Sequence, residues 1–156
     1  MSGRHSYSER YFEDYRAGEI VEFGNESVDE ARIVTFAREY DPQAFHTDPV
    51  AAAHSPFGGL VASGWQTAAL MMRMMVDHFV SRHSLGSPGV DELRFVAPVR
   101  PGDRLRCRLT VMSTALSKSK ADRGSIVQKV EVLNQSGVVV LSCIGRGFYR
   151  CRPRSR

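Results

Sequence analysis

Residues 63–81 carry apolar side chains at Trp65, Ala68, Ala69, Leu70, Met71, Met72, Met74, Met75, Val76, Phe79 and Val80. Wound at 3.6 residues per turn, these cover most of the circumference of one helix. A helix that is apolar nearly all round has to be buried. Whatever this chain folds into must therefore wrap other elements around this segment. With 156 residues, the chain has one domain's length in which to do so. The methionines read as adaptable core filling rather than as a cofactor box.

The wrapping elements follow the helix. After the turn Gly86-Ser87-Pro88-Gly89 the period shortens to two, which predicts strands over 90–99, 105–115, 125–133 and 138–148. Arg100-Pro101-Gly102-Asp103 and Asn134-Gln135-Ser136-Gly137 mark turns between them. Ahead of the helix, 11–18 form an aromatic lead-in and 19–27 a further strand. Asp29 then caps a helix whose apolar face is Ile33, Phe36, Ala37 and Tyr40. That helix must stop at Asp41, because Pro42 pushes the preceding residue out of the helical region. Asp48-Pro49 reads as a cap and first turn of a short helix through Ala53. The order predicts an α+β domain over 1–156, an antiparallel sheet wrapped round one central helix, with a lead-in over 1–10 and a basic tail over 151–156. Its edge strands want partners, so a two-fold homodimer or a dimer of dimers is expected.

Composition excludes several classes. Apolar content of 42% and charged content of 24% suit a globular protein. No run of about 18 apolar residues predicts a membrane span. Residues 1–6 lack the apolar region of a secretion signal. Cys107, Cys143 and Cys151 are an odd set without paired ligand spacing, which fits a reduced cytoplasm. No His, Cys, Asp and Glu set has metal-ligand spacing. The net charge of +4 owes much to Arg146, Arg150, Arg152, Arg154 and Arg156, without a nucleic-acid recognition motif. Those arginines read as a solvated tail, or as a patch whose field attracts the phosphates of a coenzyme A ligand.

Two stretches carry chemistry. In Tyr40-Asp41-Pro42-Gln43-Ala44-Phe45-His46, a carboxylate and an imidazole stand five positions apart. A helix would not put them on one face, but a loop bent at Pro42 folds them together. In Phe57-Gly58-Gly59-Leu60-Val61-Ala62-Ser63-Gly64 a glycine-rich loop runs into the apolar helix. The Gly64 amide, in the first turn, has no acceptor inside the helix and points outward. A base, a proton donor and an amide that holds an oxyanion are what hydration of a double bond conjugated to a thioester requires. Taken singly, Asp41 reads more readily as a turn cap and His46 as a satisfied loop histidine; taken jointly, with the proline between them and the glycine-rich helix start downstream, they favour function. His54 reads as surface, and His78 and His83 have no evident partner.

At these residues the chain resembles the MaoC-like dehydratases, which include the (R)-specific enoyl-CoA hydratases. Their pattern is Asp-x-Asn-Pro-x-His, an Asp-Pro step, and a glycine-containing loop into a segment like Ile-Ala-His-Gly. Asp41, His46, Asp48-Pro49 and Ser63-Gly64 fall at matching places, and Glu92 to Val99 with Pro101-Gly102-Asp103 resembles the following strand. The resemblance implies a hot-dog fold, acyl-CoA substrates, and no cofactor beyond the coenzyme A of the substrate. It implies catalysis by Asp41, His46 and Gly64, with Gln43, Gly59, Ser63 and Trp65 against the substrate. Two departures stand out. Gln43 replaces asparagine, with the proline two positions earlier at Pro42, and Ser63 replaces a common histidine. Thioester hydrolysis and non-catalytic acyl-CoA binding are the alternatives on the same fold.

Overall fold

Alternation of side chains along four long strands gives the sheet an apolar face. The computed structural model describes residues 7–154; the first six residues of the lead-in, and Ser155 and Arg156 of the tail, lie outside it. The strands are β1 (Ile20–Val28), β2 (Val90–Phe95), β3 (Asp103–Leu116), β4 (Arg123–Leu133) and β5 (Val139–Arg150). They form one antiparallel sheet in the order β1-β3-β4-β5-β2. Leu105, Cys107, Leu109 and Val111 of β3, Ile126, Val130 and Val132 of β4, and Leu141, Cys143 and Tyr149 of β5 are buried. They join one core with Leu70, Met71, Met74 and Met75 of the central helix α4 (Gly64–His78). This is the hot-dog arrangement. In β1 the register shifts between Phe23 and Glu26, and Gly24 there has φ +90°. A Cβ at Gly24 would collide with the Met74 side chain, so glycine lets the strand close on the helix.

Between β1 and α4 lie three shorter helices, α1 (Glu30–Tyr40), α2 (Ala44–Thr47) and α3 (Pro49–Ala53). Asp29 caps α1, its Oδ1 accepting from the Arg32 N–H at 2.7 Å. Asp48 caps α3, accepting from the amides of Val50 and Ala51, with Pro49 in the first turn. His46 therefore rides on one turn of helix rather than on a bare loop.

Four expectations need correction. The buried face of α1 is Ile33 and Ala37, with Val34 packed against the core and Phe36 half-buried, while Tyr40 is 66% exposed. The central helix is buried on one side only; Trp65, Met72 and Val76 stay exposed on the other. It also ends at His78, with Phe79 as its cap residue, instead of reaching 81. Finally, β2 stops at Phe95 rather than 99. The N–H groups of Val96 and Ala97 both converge on the Val140 carbonyl, and Pro98 has no N–H to extend the ladder.

The lead-in and the tail meet on the sheet. Phe12 sits where a Cβ at Gly124 would be. Arg152 pairs with Asp14 at 2.7 Å, and its backbone N–H donates to Glu13, so this tail arginine is tied down rather than freely solvated. His83 stacks on Tyr11 and His78 lies against Phe23, which supplies the partners the sequence did not reveal. Among the described residues no helix is long and apolar enough to cross a membrane.

Candidate active site

Asp41 sits where α1 ends. Its N–H still donates to the Ala37 carbonyl at 2.9 Å, but its backbone has left the helical region, as the following proline demands. The carboxylate is held on both oxygens. Oδ1 accepts from Gln43 Nε2 at 2.8 Å, and Oδ2 accepts from Ser63 Oγ at 2.7 Å. Oδ2 also faces His46 Nε2 at 3.3 Å. Partial burial pushes the carboxyl pKa up, but the hydrogen bonds from Gln43 and Ser63 and the nearby imidazole outweigh it. Asp41 is held below the usual carboxylate range.

His46 is buried, and its Nδ1 lies 2.6 Å from the Val61 carbonyl. A carbonyl only accepts, so Nδ1 carries the hydrogen and Nε2 is the nitrogen presented to Asp41. The Val61 segment is itself anchored, since its N–H donates to the Phe45 carbonyl and the Ala62 N–H donates to the Val99 carbonyl. Thus α2, the glycine-rich loop and the segment after β2 fix the ring together.

Ser63 caps α4. Its Oγ accepts from the Trp65 N–H at 3.2 Å while donating to Asp41. The same hydroxyl therefore joins the helix start to the carboxylate. Gly64 is the first residue of α4, so its N–H has no acceptor within the helix. The Phe95 ring packs over it, and a Cβ at Gly64 would come within 2.5 Å of that ring. Asp41, His46, Gly64 and Trp65 border one cavity of about 480 Å³, walled otherwise by Phe45, Phe57, Thr67, Val140 and residues 95–99. An acid–base pair and an outward helix-start amide share one mostly apolar chamber. That arrangement suits proton transfer beside a carbonyl whose oxygen gains charge.

Residues 15–134 match the family model described as MaoC like domain. The chain belongs to this family. It is 36% identical over 102 residues to protein MaoC of Klebsiella aerogenes, a stretch covering 65% of this chain but 30% of that longer protein. It is 30% identical over 112 residues to 3-hydroxyacyl-thioester dehydratase Z of Mycobacterium tuberculosis, covering 70% of this chain and 72% of that protein. The crystal structure of the MaoC-like dehydratase from Rhodospirillum rubrum superposes with a TM-score of 0.85 at 40% identity, covering 93% of this chain and 99% of that one.

Within this MaoC-like domain, Asp41, Gln43, His46, Gly64 and Trp65 all reach the cavity. Gln43 has a second attachment, its hydrogen bond to Asp41. Ser63 is fully buried behind the cavity wall, bonded to Asp41 instead of facing a ligand. Gly59 does not border the cavity; it lies near the Arg100 guanidinium, which donates to the Phe57 carbonyl. His54 is exposed, its ring nitrogen near the Val50 carbonyl. Sequence reasoning missed the Val61 carbonyl and the Phe95 lid over Gly64. Neither has a local signal, because the one is a main-chain atom and the other arrives from a strand 31 positions downstream. Among the described residues no group of three or more His, Cys, Asp or Glu side chains is arranged to hold a metal ion.

Proposed function

We propose that this protein reversibly adds water to a trans-2-enoyl-CoA thioester, giving an (R)-3-hydroxyacyl-CoA. The observation that carries the reading is the 3.3 Å approach of Asp41 Oδ2 to His46 Nε2 beside the free amide that opens α4. A water hydrogen-bonded to both groups loses a proton to Asp41 as its oxygen bonds to C3. The electron pair moves through C2 onto the thioester oxygen, where the Gly64 N–H meets the developing charge with the helix dipole behind it. Asp41 passes that proton across the 3.3 Å gap to His46 Nε2, and the intermediate collapses when Nε2 gives it to C2. With Nδ1 committed to Val61, only Nε2 is placed to do this. One donor of the Gly64 kind lowers a barrier by roughly 3 kcal/mol in comparable sites. The chemistry as written uses no metal or redox cofactor beyond the coenzyme A of the substrate.

A homodimer belongs to the same reading. Trp65, Met72 and Val76 on α4, with Val90, Phe95 and Val96 at the β2 edge, leave a large apolar face uncovered. An exposed edge strand beside such a face is the ordinary place for a second copy. Trp65, Phe95 and Val96 also border the cavity, so a partner seated there would close its outer wall.

Crotonyl-CoA tests the activity by absorbance. Loss of the enoyl band without free thiol is the expected result, and Asp41→Asn should slow it about 100-fold or more. Release of free thiol would mean thioester hydrolysis instead, and saturable binding with no turnover would mean a binding module.

A further inference from the structure

Gln128 is the buried polar side chain of the sheet's inner face. It lies on β4 between Ile126 and Val130, is 5% exposed, and its Oε1 has no hydrogen-bond partner among the described residues. Its cross-strand neighbour on β5 is Gly145, and the next inward residue of β5 is Gly147. A Cβ at Gly145 would rest 3.6 Å from Gln128 Nε2 and 4.0 Å from Val90. Without those side chains a second cavity of about 140 Å³ opens, which Gln128 borders together with Met71, Met75, Val90 and Cys143.

The two cavities share no lining residue, but both border the same side of α4. Both lie between α4, β5 and β2. Thr67, Val140 and Phe95 border the first, while Met71, Cys143 and Val90 border the second. Thr67 and Met71 are neighbours on one helix face. Met71 and Met75 stand ~10–16 Å along α4 from Gly64 at 1.5 Å per residue. A chain whose thioester oxygen meets the Gly64 amide and which runs along α4 arrives at Gln128.

We propose that the second cavity receives the far end of the acyl chain, and that Gln128 there selects chains bearing a hydroxyl at that end. This rests on the acyl-thioester reading of the first site. A hydroxyl donates to the unpaired Oε1 and accepts from Nε2, so it satisfies the amide in both directions. A plain methyl terminus takes the same space but leaves Oε1 desolvated and unpaired. The volume fits, since a cavity of about 150 Å³ holds a molecule the size of benzene. The flexible thioethers of Met71 and Met75 adjust the wall to the chain.

The test uses two saturated acyl-CoA ligands of about ten carbons, one ending in a methyl group and one in a hydroxymethyl group, titrated by calorimetry. The matching enoyl-CoA pair is followed in turnover. The hydroxylated ligand should bind at least 10-fold tighter, and its kcat/KM should lead by a similar factor. Gln128→Leu, which puts an apolar side chain of similar size in the core, should bring both ratios to about 1 or below. Gly145→Ala, which narrows the cavity without a clash, should weaken both long ligands. Equal binding of the two ligands by the unmodified protein, or an unchanged ratio in Gln128→Leu, overturns the proposal. Because the saturated ligands undergo no reaction, a binding preference without turnover of crotonyl-CoA would remove the hydratase reading and leave the Gln128 assignment standing.

Discussion

Replacing Ser63 by alanine removes one oxygen that serves two purposes, and the two losses can be separated. As a helix cap, the hydroxyl accepts from the Trp65 N–H at 3.2 Å; loss of such a cap costs about 1 kcal/mol. As a donor to a carboxylate at 2.7 Å it contributes up to about 1.5–3 kcal/mol in buried settings. The Asp41 side chain is 18% exposed, so water replaces part of that bond, and about 1 kcal/mol is the better figure for it. Ser63→Ala should then destabilise the protein by about 2 kcal/mol, a fall in Tm of roughly 4–8 °C for a chain of this size. Urea unfolding of Ser63→Ala, Asp41→Asn and the double variant isolates the bond between them. The cap is lost in both Ser63→Ala variants and cancels, so the cycle should leave a coupling of about 1 kcal/mol. Turnover carries an independent signature: without the Ser63 donor the Asp41 pKa should rise, moving the acid limb of the pH profile upward. A coupling below about 0.3 kcal/mol with an unmoved acid limb would refute the link between helix start and carboxylate.

Gly64→Ala should abolish most turnover while leaving the fold in place, because its Cβ can fit only by displacing the Phe95 ring that now lies 2.5 Å from that position; circular dichroism and the crotonyl-CoA assay check the two halves. Asp41 contributes stability that is present above its ordinary unfolded pKa and is lost as pH falls through its depressed native value; urea midpoints across the acid range should show this in the parent protein and not in Asp41→Asn. Cys107 is buried and its thiol is pushed up to about 12, first by desolvation and then by Cys143, so iodoacetamide at pH 8 should label it only after unfolding, as peptide mass mapping would show.

Much of the architecture was legible because it follows from periodicity. The alternation of Leu105, Cys107, Leu109 and Val111 places β3, and the apolar density of residues 63–81 announces the helix the sheet curls around. The same density overstated that helix's burial. Composition cannot tell a side covered by its own chain from a side left open, and Trp65, Met72 and Val76 are on the open side. Asp41 and His46 were readable as a pair from their spacing around Pro42. The contacts that aim them were not. Ser63 reaches Asp41 across 22 positions, and Val61 holds His46 with an atom every residue possesses. Gln128 shares an alternation face with Ile126 and Val130, yet only the glycines opposite it show that it borders space.

The two halves of the acid–base pair are held by different kinds of atom. The imidazole takes its orientation from a main-chain oxygen, which no single substitution at position 61 deletes. The carboxylate takes its poise from two exchangeable side chains, Gln43 and Ser63. Drift through those two codons would retune the acid stepwise while its neighbour keeps its bearing, so a lineage built on this frame has one adjustable dial and one locked one.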